Sequence, residues 1–148
     1  KGGNEMFKKI LVPTDGSEFS LNSEKVALEM AKALGSEIFA VSIIENSFVN
    51  GLPIDDEVNE LNSILKESSE KNIKEFKDMD DNEQFDVKIT PIIKEGSPAN
   101  EILNIAEEKD VDLIIIGSSG KSKFDKFLMG SVADKVSQHA KCSVMVVR

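Results

Sequence analysis

The stretch DLIIIGSSGKSKFDKFLMGSVADKV, residues 112–136, decides how the chain folds. It opens on Leu113, Ile114, Ile115 and Ile116, apolar without alternation, which is how a strand buried on both faces reads. Glycine, serine and lysine follow. An apolar pattern at helical spacing then resumes near Ser131. A strand is expected over 112–116 and a helix over 131–139, so the segment between them spans a strand-to-helix crossover.

The same alternation runs through the whole chain. Residues 7–14 (FKKILVPT) form a first strand closed by Pro13 and a turn at Asp15-Gly16. Ser17 is placed to cap the next helix, Val26, Met30 and Leu34 with Ala27 and Ala31 give its buried face, and Gly35 ends it. Residues 38–44 (IFAVSII) are a second strand and 46–53 a loop. A polar helix over 55–80 carries Val58, Leu61, Leu65, Ile73 and Phe76, and DMDDNE at its end reads as a solvated acidic turn. Residues 85–94 contain Pro91, which places the third strand at a sheet edge. Ser97 and Pro98 start a third helix, with Ala99, Ile102, Leu103 and Ala106 inward. Residues 143–147 make a fifth strand. Strictly alternating strands and helices predict an α/β fold: a parallel five-stranded sheet, helices on both faces, right-handed crossovers.

Composition bounds the function. The chain has 148 residues, enough for one domain with a full core. Twenty-seven acids against 18 bases give a net charge of −9, which repels a nucleic-acid backbone or an anionic membrane. Eight Phe are the only aromatics, too few for a base-stacking surface. No apolar run approaches the roughly 20 residues of a membrane span, and no secretory signal is visible, so a cytoplasmic location is expected. Cys142, the single cysteine, has no internal disulfide partner. Residues 1–5 (KGGNE) are expected to be a vector-derived remnant, with Met6 the native initiator and 6–148 a single domain.

GSSGKS invites comparison with a phosphate loop. A Walker loop requires a glycine at 115, where this chain has Ile115. A dinucleotide fingerprint requires G-x-G-x-x-G after the first strand, where this chain has TDGSEFS. A phosphoacceptor receiver needs an aspartate after the third strand, where Lys94-Glu95-Gly96 stands. A flavodoxin-type site needs a hydroxyl-rich loop after the first strand, where only Ser17 and Ser20 flank Phe19.

In an open α/β sheet ligands sit beyond the carboxyl ends of the strands, where strand order reverses. With an order 3-2-1-4-5, that point lies between the ends of the first and fourth strands, at Asp15 and Gly117. Gly117 and Gly120 permit close backbone approach. Gly130 stands where free helix N–H groups and the positive dipole end favour an anion. Ser118, Ser131 and Lys121 could add donors, while Asp15 suits a hydroxyl or amino group at the far end of the ligand. Glycine-serine clusters are also ordinary loop signals, so the residues alone leave open a surface loop that holds nothing.

The chain resembles the universal stress protein family from Met6 onward. The resemblance is carried by KKILVPTDGS, VSIIE, KEGSPANEIL and the terminal VDLIIIGSSGKSKFDKFLMGSVADKV…VMVVR. Its most specific element is G-x2-G-x9-G-[ST], met by Gly117, Gly120, Gly130 and Ser131, which marks the ATP-binding branch. The resemblance implies a Rossmann-like three-layer sandwich of the adenine nucleotide alpha hydrolase type, with sheet order 3-2-1-4-5. It implies a homodimer paired through the fifth strand (Val144, Val146, Val147), and ATP or ADP as ligand, with Mg²⁺ or Mn²⁺ bound through the phosphates. Pro13, Thr14 and Asp15 would meet the adenosine, and the Ile43 backbone the adenine edge. Residues 117–121 (Gly117, Ser118, Ser119, Gly120, Lys121) and 130–132 (Gly130, Ser131, Val132) would wrap ribose and phosphates. Ser119 departs from a pattern that often has histidine there. A nucleotide-dependent stress sensor or switch is the expected role; a slow ATP hydrolase and a nucleotide-free partner-binding dimer are the alternatives.

Overall fold

A computed structural model of the chain describes residues 6–45, 51–53, 55–119 and 130–148. Nine elements follow in strict alternation: β1 (Lys9–Pro13), α1 (Glu18–Leu34), β2 (Glu37–Ile44), α2 (Asp56–Glu83), β3 (Ile89–Glu95), α3 (Pro98–Glu108), β4 (Leu113–Gly117), α4 (Ser131–His139) and β5 (Ser143–Val147). The strands form one parallel sheet of order β3-β2-β1-β4-β5. Pro91 lies on β3, which among the described residues pairs only with β2, so its missing N–H falls on an edge strand as expected.

Alternate side chains of the central strands feed two separate cores. Leu11, Ile114 and Ile116 pack with Ile102, Ile105 and Val136 of α3 and α4. Ile10, Val12, Leu113 and Ile115 face the other way, onto Ala27, Leu28, Ile73 and Phe76 of α1 and α2. Burial on both faces explains why β4 shows no polar alternation. Each fully buried residue of this kind contributes roughly 1.5–3 kcal/mol.

Local signals set most helix ends. The Ser17 hydroxyl accepts from Ser20 N–H at 3.1 Å, and Gly35 closes α1 in the left-handed region at φ 73°. Asp55 caps α2 by accepting from Val58 N–H at 2.9 Å. Ser97 holds the N-cap position of α3, but its side chain makes no capping bond; Pro98 supplies the start.

Two expectations need correction. The acidic DMDDNE segment is not a solvated turn, for α2 continues through it to Glu83. Asp80 is buried and accepts the Val87 N–H at 3.2 Å, tying the helix end to the approach of β3. On α1 the buried residues are Ser20, Ser23, Glu24, Ala27, Leu28 and Ala31, while Val26, Met30 and Leu34 are only half-buried. The helix is turned so that its polar first turns, not only its apolar stripe, face the sheet.

Candidate functional site

Parallel strands all deliver their carboxyl ends to one edge, and β1 and β4 are where the direction of strand succession reverses. A cleft of about 580 Å³ opens there. One wall comes from Pro13, Thr14 and Asp15 after β1 and from Val41, Ser42 and Ile43 of β2. Leu65, Ser68, Ser69 and Asn72 of α2 close a second side. Gly117, Ser119 and Gly130 to Ala133 form the opposite wall.

The turn after β1 is held by its own hydrogen bonds. Thr14 N–H donates to Val41 O at 2.8 Å, continuing the sheet one residue past the strand. Asp15 Oδ1 accepts from Ser17 N–H at 2.9 Å, and Asp15 N–H donates to Ser20 Oγ at 3.2 Å. Gly16 has φ 79°, a conformation that favours glycine, and a Cβ there would come 2.7 Å from Asn72 Oδ1. Across the floor, Ser42 Oγ donates to Ser69 Oγ at 2.9 Å, linking β2 to α2.

The opposite wall is the start of α4. Gly130 is its N-cap, with φ −63° and ψ 158°, and has no side chain with which to cap. Its carbonyl accepts from Asp134 N–H at 2.9 Å, which starts the helix. The N–H groups of Ser131, Val132 and Ala133 precede the first intrahelical donor, and all three residues line the cleft. Donors plus the helix dipole make this wall favourable for an anion. Among the described lining residues the ionisable ones are Asp15 and Glu45.

The structure thus brings together Pro13, Thr14, Asp15, Ile43, Gly117, Ser119, Gly130, Ser131 and Val132, the residues expected from sequence to share a site. Gly120 and Lys121 lie outside the described residues. Ser118 does not line the cleft. It is buried, its N–H donates to Val147 O at 2.7 Å, and its carbonyl accepts from Gly130 N–H at 2.5 Å. Ser118 therefore ties the end of β4 to β5 and to the start of α4. Gly117 lines the cleft as expected, and a Cβ there would also meet the Phe19 carbonyl at 2.8 Å, so its lack of a side chain serves helix seating as well.

Sequence reasoning missed the α2 wall and, behind the β1 turn, Glu24. This carboxyl is only 1% exposed. Thr14 Oγ1 donates to Glu24 Oε2, and Ser20 Oγ lies 3.1 Å from the same oxygen. Glu24 Oε1 has no hydrogen-bond partner among the described residues. Burial pushes its pKa up to about 7, against the lowering effect of the Thr14 and Ser20 hydroxyls, with Glu75 and Asp15 pushing further upward. The signal was available: Ser20, Glu24, Ala27 and Ala31 share one helical face.

Comparison with known proteins agrees with this architecture. Residues 6–148 match the universal stress protein family. The universal stress protein MJ0531 of Methanocaldococcus jannaschii is 39% identical over 148 residues, covering 100% of this chain and 86% of that one. The solved structure of MJ0577 from the same organism superposes with a TM-score of 0.79 at 34% identity, covering 96% of each chain. A universal stress protein family member from Arabidopsis thaliana with AMP bound shares the fold, with a TM-score of 0.68 at 15% identity over 95% of this chain and 90% of that one. By sequence across its length, by sheet order and by superposition, the chain belongs to the universal stress protein family.

Proposed function

We propose that the chain binds an adenine nucleotide, ATP or ADP, in the cleft between β1 and β4 and acts as a dimeric, nucleotide-dependent switch in the cytoplasm. One observation carries this reading. A carboxylate turn and an uncapped helix N-terminus face each other across a single cleft, which suits a ligand with a hydroxyl- or amine-bearing end and an anionic end.

In this reading Pro13, Thr14 and Asp15 meet the adenosine and the Ile43 backbone meets the adenine edge. The phosphates sit on the N–H groups of residues 131–133, where hydrogen bonds to a charged group are worth about 1.5–3 kcal/mol each. Gly117, Ser119, Gly120 and Lys121 complete the ribose and phosphate end. Mg²⁺ or Mn²⁺ enters through the phosphate oxygens, the hard ligands such ions prefer. The family member holding AMP in the same fold supports the ligand class. Self-pairing of edge strand β5 would make the dimer and cover Val144, Val146 and Val147.

Mass spectrometry of the small molecule released from freshly purified, denatured protein tests the reading, together with calorimetric titration of the stripped protein. Released ATP or ADP and saturable binding are expected. A protein that releases no nucleotide and takes up neither ATP nor ADP overturns it.

A further inference from the structure

Glu24 is a buried acid behind the cleft, joined to it by two hydroxyls. Thr14, one of its partners, lines the cleft, and Ser20, the other, also lines it and accepts the Asp15 N–H. Ser20 Oγ stands 3.1 Å from both Thr14 Oγ1 and Glu24 Oε2, so the three side chains form one closed set. We propose that Glu24 is a positioning residue for the β1 turn, and that its protonation sets how Thr14 and Asp15 are presented to the ligand. The proposal rests on the nucleotide-binding reading of the cleft.

The proton inventory shows how. With Glu24 ionised, Oε2 accepts the Thr14 hydroxyl proton and competes with Thr14 Oγ1 for the Ser20 proton. Both hydroxyls are then turned away from the cleft. With Glu24 protonated on Oε2, the carboxylic O–H donates to the Thr14 hydroxyl oxygen, reversing the bond between them. The Thr14 proton is freed to turn toward the cleft, where it can donate to a ligand oxygen. Protonation also removes one negative charge from beside a site built for an anion. Both effects favour the nucleotide when Glu24 is neutral.

The surroundings place this change near neutral pH. Burial raises the carboxyl to about 7, and the charged groups acting on it are acids, Glu75 from α2 and Asp15 from the β1 turn. β4 and β5, which also pack on α1, carry no titratable side chain. Lys9 of β1 and Glu37 of β2 stand at the opposite, amino-terminal ends of their strands. The charges of α1 itself, Glu18, Lys25, Glu29 and Lys32, are exposed.

The test is calorimetric titration with MgATP at pH 6 and pH 8 for the native chain and for Glu24→Gln, which keeps the shape and stays neutral. A coupling of one pKa unit makes native affinity about fivefold weaker at pH 8 than at pH 6, relative to the variant. Titration of the phosphates themselves cancels in that ratio. Parallel pH profiles in the two proteins overturn the proposal. A second measurement does not depend on the ligand: the Asp15 amide resonance of ligand-free native protein should move with the Glu24 carboxyl titration. If MgATP binds to neither protein, the nucleotide reading fails, and a moving Asp15 amide still supports the positioning role. An Asp15 amide that ignores Glu24 overturns it, including where Glu24→Gln does not fold.

Discussion

Gly117 and Phe19 touch backbone to backbone: a Cβ on Gly117 would lie 2.8 Å from the Phe19 carbonyl oxygen and 2.9 Å from its carbonyl carbon. The end of β4 and the first turn of α1 are thereby set against each other. Gly117→Ala should therefore act on the fold before it acts on any ligand. Neither backbone segment has a flexible side chain to yield, so the overlap should lower stability by about 1–3 kcal/mol. Urea denaturation measures this; an unchanged midpoint would show that α1 is not seated on β4 in this way.

Ser131→Pro separates helix formation from anion binding. The first position of a helix is where proline is best tolerated, and Gly130 already has the extended conformation that a residue before proline needs. The helix should form, but one N–H donor facing the cleft is gone. ATP affinity should fall about 10- to 100-fold, the loss of one hydrogen bond to a charged group. Ser131→Ala controls for the hydroxyl, and equal affinity in the two variants would remove the backbone N–H from the site.

The pH dependence of stability has a definite sign at Glu24. Its folded-state pKa, about 7, stands above the ordinary value of 4.5, so the folded chain holds this proton more tightly than the unfolded chain. The contribution to stability is complete below pH 4.5 and is lost as pH rises to about 7. Glu24→Gln should accordingly be more stable than the native chain at pH 8, by up to about 3 kcal/mol, with a smaller difference at pH 5. Chemical denaturation at the two pH values measures it. A variant less stable at pH 8 than the native chain would mean that the buried carboxylate is better satisfied than its partners indicate.

Dimerisation through β5 predicts twice the mass of one chain in sedimentation at micromolar concentration. Among the described residues β5 pairs with β4 on one side only, and its other edge offers N–H and C=O groups with no strand beside them there. A monomer at that concentration contradicts the proposed interface.

Much of this molecule is written in local sequence. Leu113 to Ile116 are apolar without interruption because β4 is covered on both faces, and that run is legible by itself. Gly35 and Ser17 terminate α1 by backbone conformation and side-chain capping, which are properties of a few adjacent residues. Pro91 excludes a central strand because it has no N–H. Hence the element order and the parallel sheet follow from the chain's pattern, while the meeting of Asp15 with Gly130 across one cleft also needs the strand order that the family resemblance implies.

The rotation of α1 does not. Val26, Met30 and Leu34 form the more apolar stripe, yet Ser20, Ser23 and Glu24 are the more deeply buried residues. That choice depends on how closely the helix approaches β4 at Gly117, and no local pattern encodes the distance between two segments nearly a hundred residues apart. The identity of each residue determined which strands and helices could form and where they stop. Only the packing of α1 onto the sheet decided that an acid in its second turn would be removed from water beside the candidate site.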